Sequence, residues 1–385
     1  MLRRFIALMF VAGSLSACTT ISNSLESINP FASSGPKMAR LVTIQGGLET
    51  RQVWSFNAGK AKDYTFSPAI VGNAVYVAGH DGSLAKLEGG QVVWRIDAGQ
   101  KLSAGVGANN NLVVVGTDKG DVLAFSSDDG KPIWQAKVSS EVLAAPAVGN
   151  NGVAVKSGDN QVFFFDVIDG GRKWVYQRST PPLSIRSAGS PVLADKYIFV
   201  GFPGGKLVGL TQENGAPVWE GAVALPKGAT ELDRVADVVA PPVVDGAQIC
   251  AVAFQGRVAC FDMGQGGTMV WSREISSAVG LALDGRFLFV TDEKGAIHAL
   301  DRLSGSSLWK QDKLLNRRVS APAVLRDLVA VADAEGYVHF LSRDDGSFVA
   351  RAKTDGAAVV TPVKTFNSGF LVQTTGGSVS LIETQ

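Results

Sequence analysis

Short apolar runs alternate with polar turns along most of the chain. In the unit spanning residues 103–138, β-branched and aromatic runs occupy positions 112–115 and 122–125, and glycine-containing turns follow each of them. A third run begins at residue 132, and a further strand precedes the first around residue 105. Runs of this kind, bounded by Gly and Asp, predict β-strands. Nothing in the unit has the length or period of an amphipathic helix, so each unit is predicted to be a four-stranded antiparallel sheet.

The unit returns eight times, which predicts a ring of eight sheets. Its central hairpin turn carries the Gly or Asn that tight turns need for positive φ. The eight turns are Asp81-Gly82, Lys119-Gly120, Asp159-Asn160, Gly204-Gly205, Gln255-Gly256, Lys294-Gly295, Glu335-Gly336 and Gly376-Gly377. The tryptophans recur with spacings of 40, 40, 40, 45, 52 and 38 residues, at Trp54, Trp94, Trp134, Trp174, Trp219, Trp271 and Trp309. Radial repetition of such sheets is a β-propeller, here an all-β, eight-bladed one.

The two ends of the chain predict how the ring closes. The last repeat stops at its third strand, residues 379–382, and has no tryptophan strand of its own. The first tryptophan strand, residues 52–56, has no hairpin before it. Pairing this N-terminal strand with the truncated last blade completes the eighth sheet and closes the ring. A seven-bladed or open array is the alternative.

The tryptophans are interpreted as structural. Six of them follow a glycine by four positions, at Gly90, Gly130, Gly170, Gly215, Gly267 and Gly305. A tryptophan on the outer strand of each blade, packed beside a turn glycine of the neighbouring unit, would bury a large area at every blade contact. A ligand platform would gather aromatic residues at one place, whereas these are spread evenly around the ring.

The repeat resembles that of the quinoprotein-type propellers. Their consensus, Ala-x-Asp-x-x-(Thr or Ser)-Gly-x-x-x-Trp, is matched in full by Ala299, Asp301, Ser304, Gly305 and Trp309. The resemblance raises an enzyme hypothesis, since quinoprotein dehydrogenases hold pyrroloquinoline quinone and calcium on this fold. Those enzymes are larger, and no run of acidic and amide residues here has the pattern of a calcium loop. We therefore expect no cofactor.

Other catalytic signals are missing from the sequence. His80, His298 and His339 lie in or beside different hairpins, without the spacing of metal ligands. There is no nucleophile elbow and no phosphate-binding loop. Charged residues make up 18% of the chain and the formal net charge is +1, so nucleic acid is not an expected partner. The sequence predicts a protein that is not an enzyme and holds no metal.

The N-terminus has the pattern of an export signal. Arg3 and Arg4 precede an apolar run at residues 5–12 that is too short to cross a bilayer. The ending Leu15-Ser16-Ala17-Cys18 resembles the lipobox of bacterial lipoproteins, which implies an acylated Cys18 carrying chains such as palmitate. Thr19, where an aspartate would imply retention in the inner membrane, points to the outer membrane, with the protein facing the periplasm. An ordinary secreted protein is the alternative.

These signals divide the chain into three parts. Residues 1–17 are predicted to be the signal peptide, and residues 49–385 the propeller. Residues 18–48, rich in Ser, Asn, Ala and Pro as far as about residue 40, are predicted to be the lipidated N-terminus and a flexible tether.

Cys250 and Cys260 flank the Gln255-Gly256 turn, one on each strand of a hairpin. In an oxidising compartment they are a candidate disulfide. A strict two-residue turn would place Cys250 opposite Phe261, so the bridge requires a longer loop. Two buried free thiols are the alternative.

The two longest spacings mark inserted loops, where function in a repeat protein is best sought. The first loop, residues 178–187, carries Leu183, Ile185 and Arg186 beside two prolines, a combination typical of protein-binding sites. The second includes residues 225–237. A loop packed back on its own blade is the alternative for the first.

The loops, the lipobox and the repeats together resemble the BamB family, lipoproteins of the outer-membrane β-barrel assembly machinery. The residues that carry the likeness are Pro182-Leu183-Ser184-Ile185-Arg186 and Gly228-Ala229-Thr230-Glu231-Leu232-Asp233-Arg234. The resemblance implies a non-enzymatic scaffold that docks on the POTRA domains of the barrel-forming subunit and assists nascent outer-membrane proteins. Its partner-binding Leu-x-Leu-Arg pattern falls on Leu183, Ile185 and Arg186.

A second contact of the family, Asp-x-Asp, falls on Asp237 and on Val239, which replaces the second aspartate. Pairing of a blade edge with a client strand is a further hypothesis, ranked below loop docking. A quinoprotein-type dehydrogenase and an envelope module that binds another ligand remain the alternatives to the scaffold.

Overall fold

The computed structural model describes residues 36–186 and 188–385, and these residues form eight four-stranded sheets. We number the strands β1–β32 along the chain and the sheets as blades. Blade 1 comprises β2 Ala69–Val71, β3 Ala74–Ala78, β4 Ser83–Glu88 and β5 Gln91–Asp97; blade 2, β6 Ala104–Ala108, β7 Leu112–Gly116, β8 Asp121–Ser126 and β9 Pro132–Lys137; blade 3, β10 Ala147–Val148, β11 Val153–Lys156, β12 Val162–Phe165 and β13 Arg172–Tyr176; blade 4, β14 Val192–Ala194, β15 Tyr197–Phe202, β16 Lys206–Thr211 and β17 Pro217–Ala222; blade 5, β18 Val243–Asp245, β19 Gln248–Val252, β20 Val258–Asp262 and β21 Thr268–Arg273; blade 6, β22 Leu281–Asp284, β23 Phe287–Thr291, β24 Ile297–Asp301 and β25 Ser307–Gln311; blade 7, β26 Ala323–Leu325, β27 Leu328–Ala332, β28 Tyr337–Ser342 and β29 Phe348–Lys353; blade 8, β30 Lys364–Phe366, β31 Gly369–Gln373, β32 Ser378–Thr384 and β1 Thr50–Asn57. One short 3₁₀ turn, Met263–Gln265, links β20 to β21.

The eighth blade closes the ring as predicted. Its order is β1-β32-β31-β30, so the N-terminal strand is the outermost strand of the last sheet. Trp54 pairs with Leu381, and Thr50 with Thr384. The eight-bladed propeller is therefore confirmed, and the seven-bladed and open arrays are wrong.

Burial explains why the middle strands are so apolar. The second and third strands of a blade are covered on both faces by neighbouring blades, so all five residues of β7 are buried. Outermost strands have only part of their surface covered, and β9 alternates between exposed and buried positions around the buried Trp134. A strand buried on both faces has a continuous run of apolar residues, whereas apolar and polar residues alternate in a strand that is buried on one face.

Each tryptophan locks two neighbouring blades together, as predicted. At Gly170 an added Cβ would lie 2.7 Å from the ring of Trp134, and the ring nitrogen of Trp134 donates to the Val167 carbonyl at 3.1 Å. The same close approach of glycine to a tryptophan ring occurs in the pairs Trp54–Gly90, Trp94–Gly130, Trp174–Gly215, Trp219–Gly267, Trp271–Gly305 and Trp309–Gly346. Gly346 was not identified from the sequence, because no tryptophan follows it in its own repeat.

Every outer strand has a β-bulge at one place, immediately before the tryptophan position. In blade 2, Ala124 pairs with Trp134 and Phe125 with Pro132, which leaves Ile133 unpaired and half-exposed. The equivalent register shift occurs in all eight sheets. Bulges interrupt a strand edge and are a known protection against edge-to-edge pairing. This regularity argues against client strands adding to the outer edges.

The structure joins Cys250 and Cys260 by a disulfide. The two residues are directly opposite each other on β19 and β20. The connection between these strands spans residues 253–257, longer than a two-residue turn. Gln255, rather than Gly256, adopts the positive φ, at 47°.

Part of the predicted tether lies against the ring. The Ala39 amide donates to the Leu315 carbonyl at 2.9 Å, and the Leu48 amide donates to the Val349 carbonyl at 2.8 Å. Residues 39–48 thus run along blade 7 before β1 begins. The predicted signal peptide and Cys18 lie outside the described residues.

Candidate docking site

Both inserted loops lie on the same face of the propeller. The first connects β13 to β14 and the second connects β17 to β18, so each links an outermost strand to the innermost strand of the next blade. Because successive strands are antiparallel, all such links share one face with the turns between the second and third strands of each blade. We call this the upper face.

The first loop presents one large apolar side chain to solvent. Leu183 is 44% exposed, while Ile185 is half-buried. The second loop adds two more exposed leucines, Leu225 at 57% and Leu232 at 71%. These two leucines were not predicted as contact residues, although large apolar side chains within a polar inserted loop indicate a possible binding surface. The described parts of the loops therefore bring three apolar side chains to the upper face.

Arg186 already has a partner within the chain. Its Nε and Nη2 donate to the two carboxylate oxygens of Glu141 at 2.8 and 2.6 Å. This contact raises the pKa of the Arg186 guanidinium. Side-chain exposure of 57% for Arg186 limits the pair to roughly 0–1 kcal/mol. The guanidinium fork expected to face a partner is therefore held by Glu141, in a pair weak enough to exchange.

Asp237 does not occupy the exposed position that a direct partner contact requires. It is only 1% exposed. One carboxylate oxygen accepts from the Ile185 amide at 2.7 Å, and the other from the Gly204 amide at 3.0 Å. Val239, at the other position of the pair, is 7% exposed. Asp237 thus holds the first loop from beneath through these two amides.

A buried lysine lies near enough to Asp237 to feel its charge. Lys156 is 3% exposed and its Nζ donates to the Gly201 carbonyl at 2.9 Å. Burial lowers the pKa of Lys156 to about 8, and the negative charge of Asp237 opposes this shift. The nearby cation helps keep the Asp237 carboxylate compatible with burial, since an isolated buried charge would be costly. Nothing in the spacing of Lys156 and Asp237, 81 positions apart in the sequence, indicated that the two charges lie near each other.

The three histidines each have a partner close by. Nδ1 of His80 lies 2.8 Å from the Leu102 carbonyl, His298 lies 2.8 Å from Asp292, and His339 lies 2.8 Å from Asp333. Within residues 36–186 and 188–385, no three His, Cys, Asp or Glu side chains are grouped in a way that could hold a metal ion. No apolar helix of membrane-spanning length occurs in this part of the chain.

Comparisons with known proteins agree with this architecture. The quinohemoprotein alcohol dehydrogenase from Comamonas testosteroni has a similar structure, with a TM-score of 0.68 and 12% sequence identity, covering 86% of this chain and 76% of that one. At this identity the similarity shows the propeller fold alone. BamB from Moraxella catarrhalis is more similar in structure, with a TM-score of 0.81 and 27% identity, covering 87% of this chain and 100% of that one.

Sequence comparisons identify the family. The family model described as outer membrane protein assembly factor BamB matches residues 80–311. The assembly factor BamB of Bordetella pertussis is 40% identical, over 96% of this chain and 94% of its own length. That of Pseudomonas aeruginosa is 42% identical, over 92% of this chain and 91% of its own length. The chain therefore belongs to the BamB family of outer membrane protein assembly factors.

Proposed function

We propose that this protein is a non-enzymatic scaffold of outer-membrane protein assembly, and that it docks through the first loop on the POTRA domains of the barrel-forming subunit. In this role it assists the assembly and insertion of nascent outer-membrane proteins. The relatives are named as assembly factors, which favours a scaffold over a quinoprotein-type dehydrogenase or a module for another envelope ligand.

The observation that carries the proposal is the preorganised first loop. Asp237 fixes the backbone of Ile185, Glu141 holds Arg186, and Leu183 is left in solvent. A loop ordered before binding loses little conformational entropy on docking. Burial of the Leu183 side chain supplies apolar stabilisation, and exchange of Arg186 from Glu141 to a partner carboxylate supplies specificity.

We further propose that the protein acts at the outer membrane, anchored by acyl chains on Cys18 and facing the periplasm. The Cys250–Cys260 disulfide suits an oxidising compartment. Several acyl chains give a stable anchor, since each buried CH₂ contributes about 0.8 kcal/mol. Mass spectrometry of the mature N-terminus after globomycin treatment tests this: the precursor should accumulate, and normal maturation would contradict the anchor.

The docking proposal is tested by pull-down of the barrel-forming subunit's periplasmic domains with residues 19–385. The parent should retain them, and a Leu183→Ala, Arg186→Glu double variant should bind at least about tenfold more weakly, a difference of roughly 1.4 kcal/mol. Ile168→Ala is the matched control, because Ile168 is 79% exposed and lies on the face opposite the loops. Failure of the folded parent to bind would overturn the proposal. Equal binding by the double variant would remove the docking surface from the first loop.

A further inference from the structure

A second feature of the upper face is a cavity of about 520 Å³ beside blades 5 to 8. It is lined by turns and inter-blade links that all belong to this face. The apolar lining consists of Phe254, Ala278, Val279, Val319, Val359 and Val360.

The first loop leaves this part of the face open. Arg186 reaches the link between blades 2 and 3 through Glu141, and it lines a small recess with Tyr64 and Leu143. The loop therefore covers the side formed by blades 1 to 4. The larger cavity lies on the remaining side, next to the proposed docking surface and separate from it.

The cavity has a hydrophobic wall that water reaches. Val360 is 50% exposed, whereas Val319 and Val359 beneath it are buried at 3% and 0%. A concave apolar surface with a few polar groups at its rim is the usual form of a binding site. Filling it with aliphatic or aromatic side chains would remove Val360 from water.

Three charged residues line the cavity: Asp292, whose carboxylate is held by His298 and by the Lys294 and Ala296 amides, and the rim residues Glu293 and Arg318, which have opposite charges. Glu293 and Arg318 are both exposed, and in the described part of the chain neither makes a side-chain ion pair. A carboxylate accepts from backbone N–H groups, and a guanidinium donates to backbone C=O groups. The pair together suits a neutral polypeptide backbone better than a strongly charged ligand.

The backbone at Arg318 is held in an unfavourable conformation. Its φ is 52°, in the left-handed region that non-glycine residues seldom adopt. The neighbouring Arg317 is fixed by hydrogen bonds to Asp333 and to the Ala39 carbonyl. Strain that the surroundings enforce is often found at binding sites, and here it places the Arg318 side chain at the rim.

We propose that this cavity binds extended segments of client polypeptides in which apolar and polar residues alternate, the pattern of outer-membrane β-strands. This inference rests on the proposed function and assigns it a client site. In an extended chain, side chains at i and i+2 point the same way, roughly 6.5–7 Å apart. Phe254 and Val279 are half-buried and Val360 is exposed, and they come from the central turn of blade 5 and from the links that follow blades 5 and 7, so they offer several apolar contacts to such a segment.

The test is fluorescence anisotropy with a labelled peptide of roughly ten residues that alternates Val or Tyr with Thr or Ser. The complete soluble body, residues 19–385, should bind it. Val360→Glu should weaken binding at least about tenfold, while Leu303→Glu, at a 77% exposed leucine on the opposite face, should leave it unchanged. A peptide of the same composition with its apolar residues at helical spacing should bind more weakly.

A second variant guards against a folding artefact. Arg318→Gly removes the rim guanidinium and relieves the positive-φ strain, so it should fold well and still weaken peptide binding severalfold. No binding by the parent, or equal binding by Val360→Glu, would overturn the inference while leaving POTRA docking intact. Loss of POTRA docking in Val360→Glu would instead make the cavity part of the docking surface and overturn its assignment to clients.

Discussion

At the scale of single residues, Asp237 is buried beneath the first loop. An aspartate beside an inserted loop reads as a candidate contact, and sequence comparison with a known pattern supports that reading. In the folded chain both of its oxygens accept backbone amides, from Ile185 and Gly204. A residue of this kind can be necessary for docking without touching the partner, because it determines the shape of the loop.

Replacement of Asp237 should therefore affect the loop and the stability together. Asp237→Ala leaves the Ile185 and Gly204 amides without their acceptor, and we expect unfolding free energy to fall by about 2–4 kcal/mol. The amide of Ile185 should exchange hydrogen faster and docking should weaken. Asp237→Asn keeps an acceptor oxygen and should show smaller effects. Unchanged exchange at Ile185 in the alanine variant would contradict the positioning role.

Gly170 illustrates a second residue-scale constraint. Its φ is 71° and an added Cβ would lie 2.7 Å from the Trp134 ring, whereas Gly72, with φ of 57°, has nothing within 4 Å of an added Cβ. Gly170→Ala should lower the unfolding free energy by about 2–4 kcal/mol, and Gly72→Ala by about 1–2 kcal/mol. Denaturant unfolding measures both. Equal losses of unfolding free energy in the two variants would mean that position 170 requires glycine for its backbone conformation and not for the tryptophan contact.

At the scale of elements, blade 7 contains a buried polar cluster. The carboxylate of Asp333, fully buried, accepts from Arg317 Nε at 2.7 Å and from His339 Nε2 at 2.8 Å. Arg351 donates to Nδ1 of His339 at 3.2 Å, so the imidazole is neutral with its proton on Nε2. Arg317 also donates to the Ala39 carbonyl at 3.0 Å. The cluster thus connects the strands of blade 7 to the N-terminal segment.

This cluster should make stability depend on pH. Burial would raise the pKa of Asp333, but bonds from His339, the Tyr337 amide and Arg317 together hold it below its usual value. Burial lowers the pKa of His339 against the opposing influence of Asp333. Both groups bind protons less readily in the folded state, so acidification favours unfolding.

The loss should begin near the ordinary histidine pKa of about 6.5 and continue into the acidic range of Asp333. His339→Gln retains a donor for Asp333 but cannot be protonated. Its thermal midpoint should therefore fall less between about pH 7 and pH 5 than that of the parent. Parallel pH profiles for the two proteins would show that His339 does not contribute.

At the scale of the whole molecule, periodic features were predictable and non-periodic ones were not. Eight repeats and the unpaired first strand were enough to predict the closed ring, because each repeat forms one sheet that packs against the sheets formed by the adjacent repeats. The bonds from Asp237 to the Ile185 and Gly204 amides join two irregular parts of the chain, so no period predicts them. The disulfide depended on one residue of loop length, since Cys250 faces Cys260 only if the connection exceeds a two-residue turn.

The contact between blades 7 and 8 differs from the other seven. Ala350 occupies the tryptophan position of blade 7, opposite Phe340. Phe340 packs instead on Phe370 of blade 8, with ring centroids 5.4 Å apart. Residues 39–48 lie along blade 7, with Leu41, Val42 and Ile44 half-buried and the Leu48 amide bonded to the Val349 carbonyl. The N-terminal segment therefore adds cover to blade 7, next to the ring closure.

Two truncated proteins distinguish the contribution of residues 39–48 to stability from that of the residues before them. A protein starting at residue 37 should be as stable as one starting at residue 19. A protein starting at residue 49 loses three half-buried aliphatic side chains and should be less stable by on the order of 3 kcal/mol. Hydrogen exchange should increase first in β29, because the Leu48 amide donates to the Val349 carbonyl of that strand. Uniform loss of protection around the ring would contradict a local weak point, as would equal stability of the two truncated proteins.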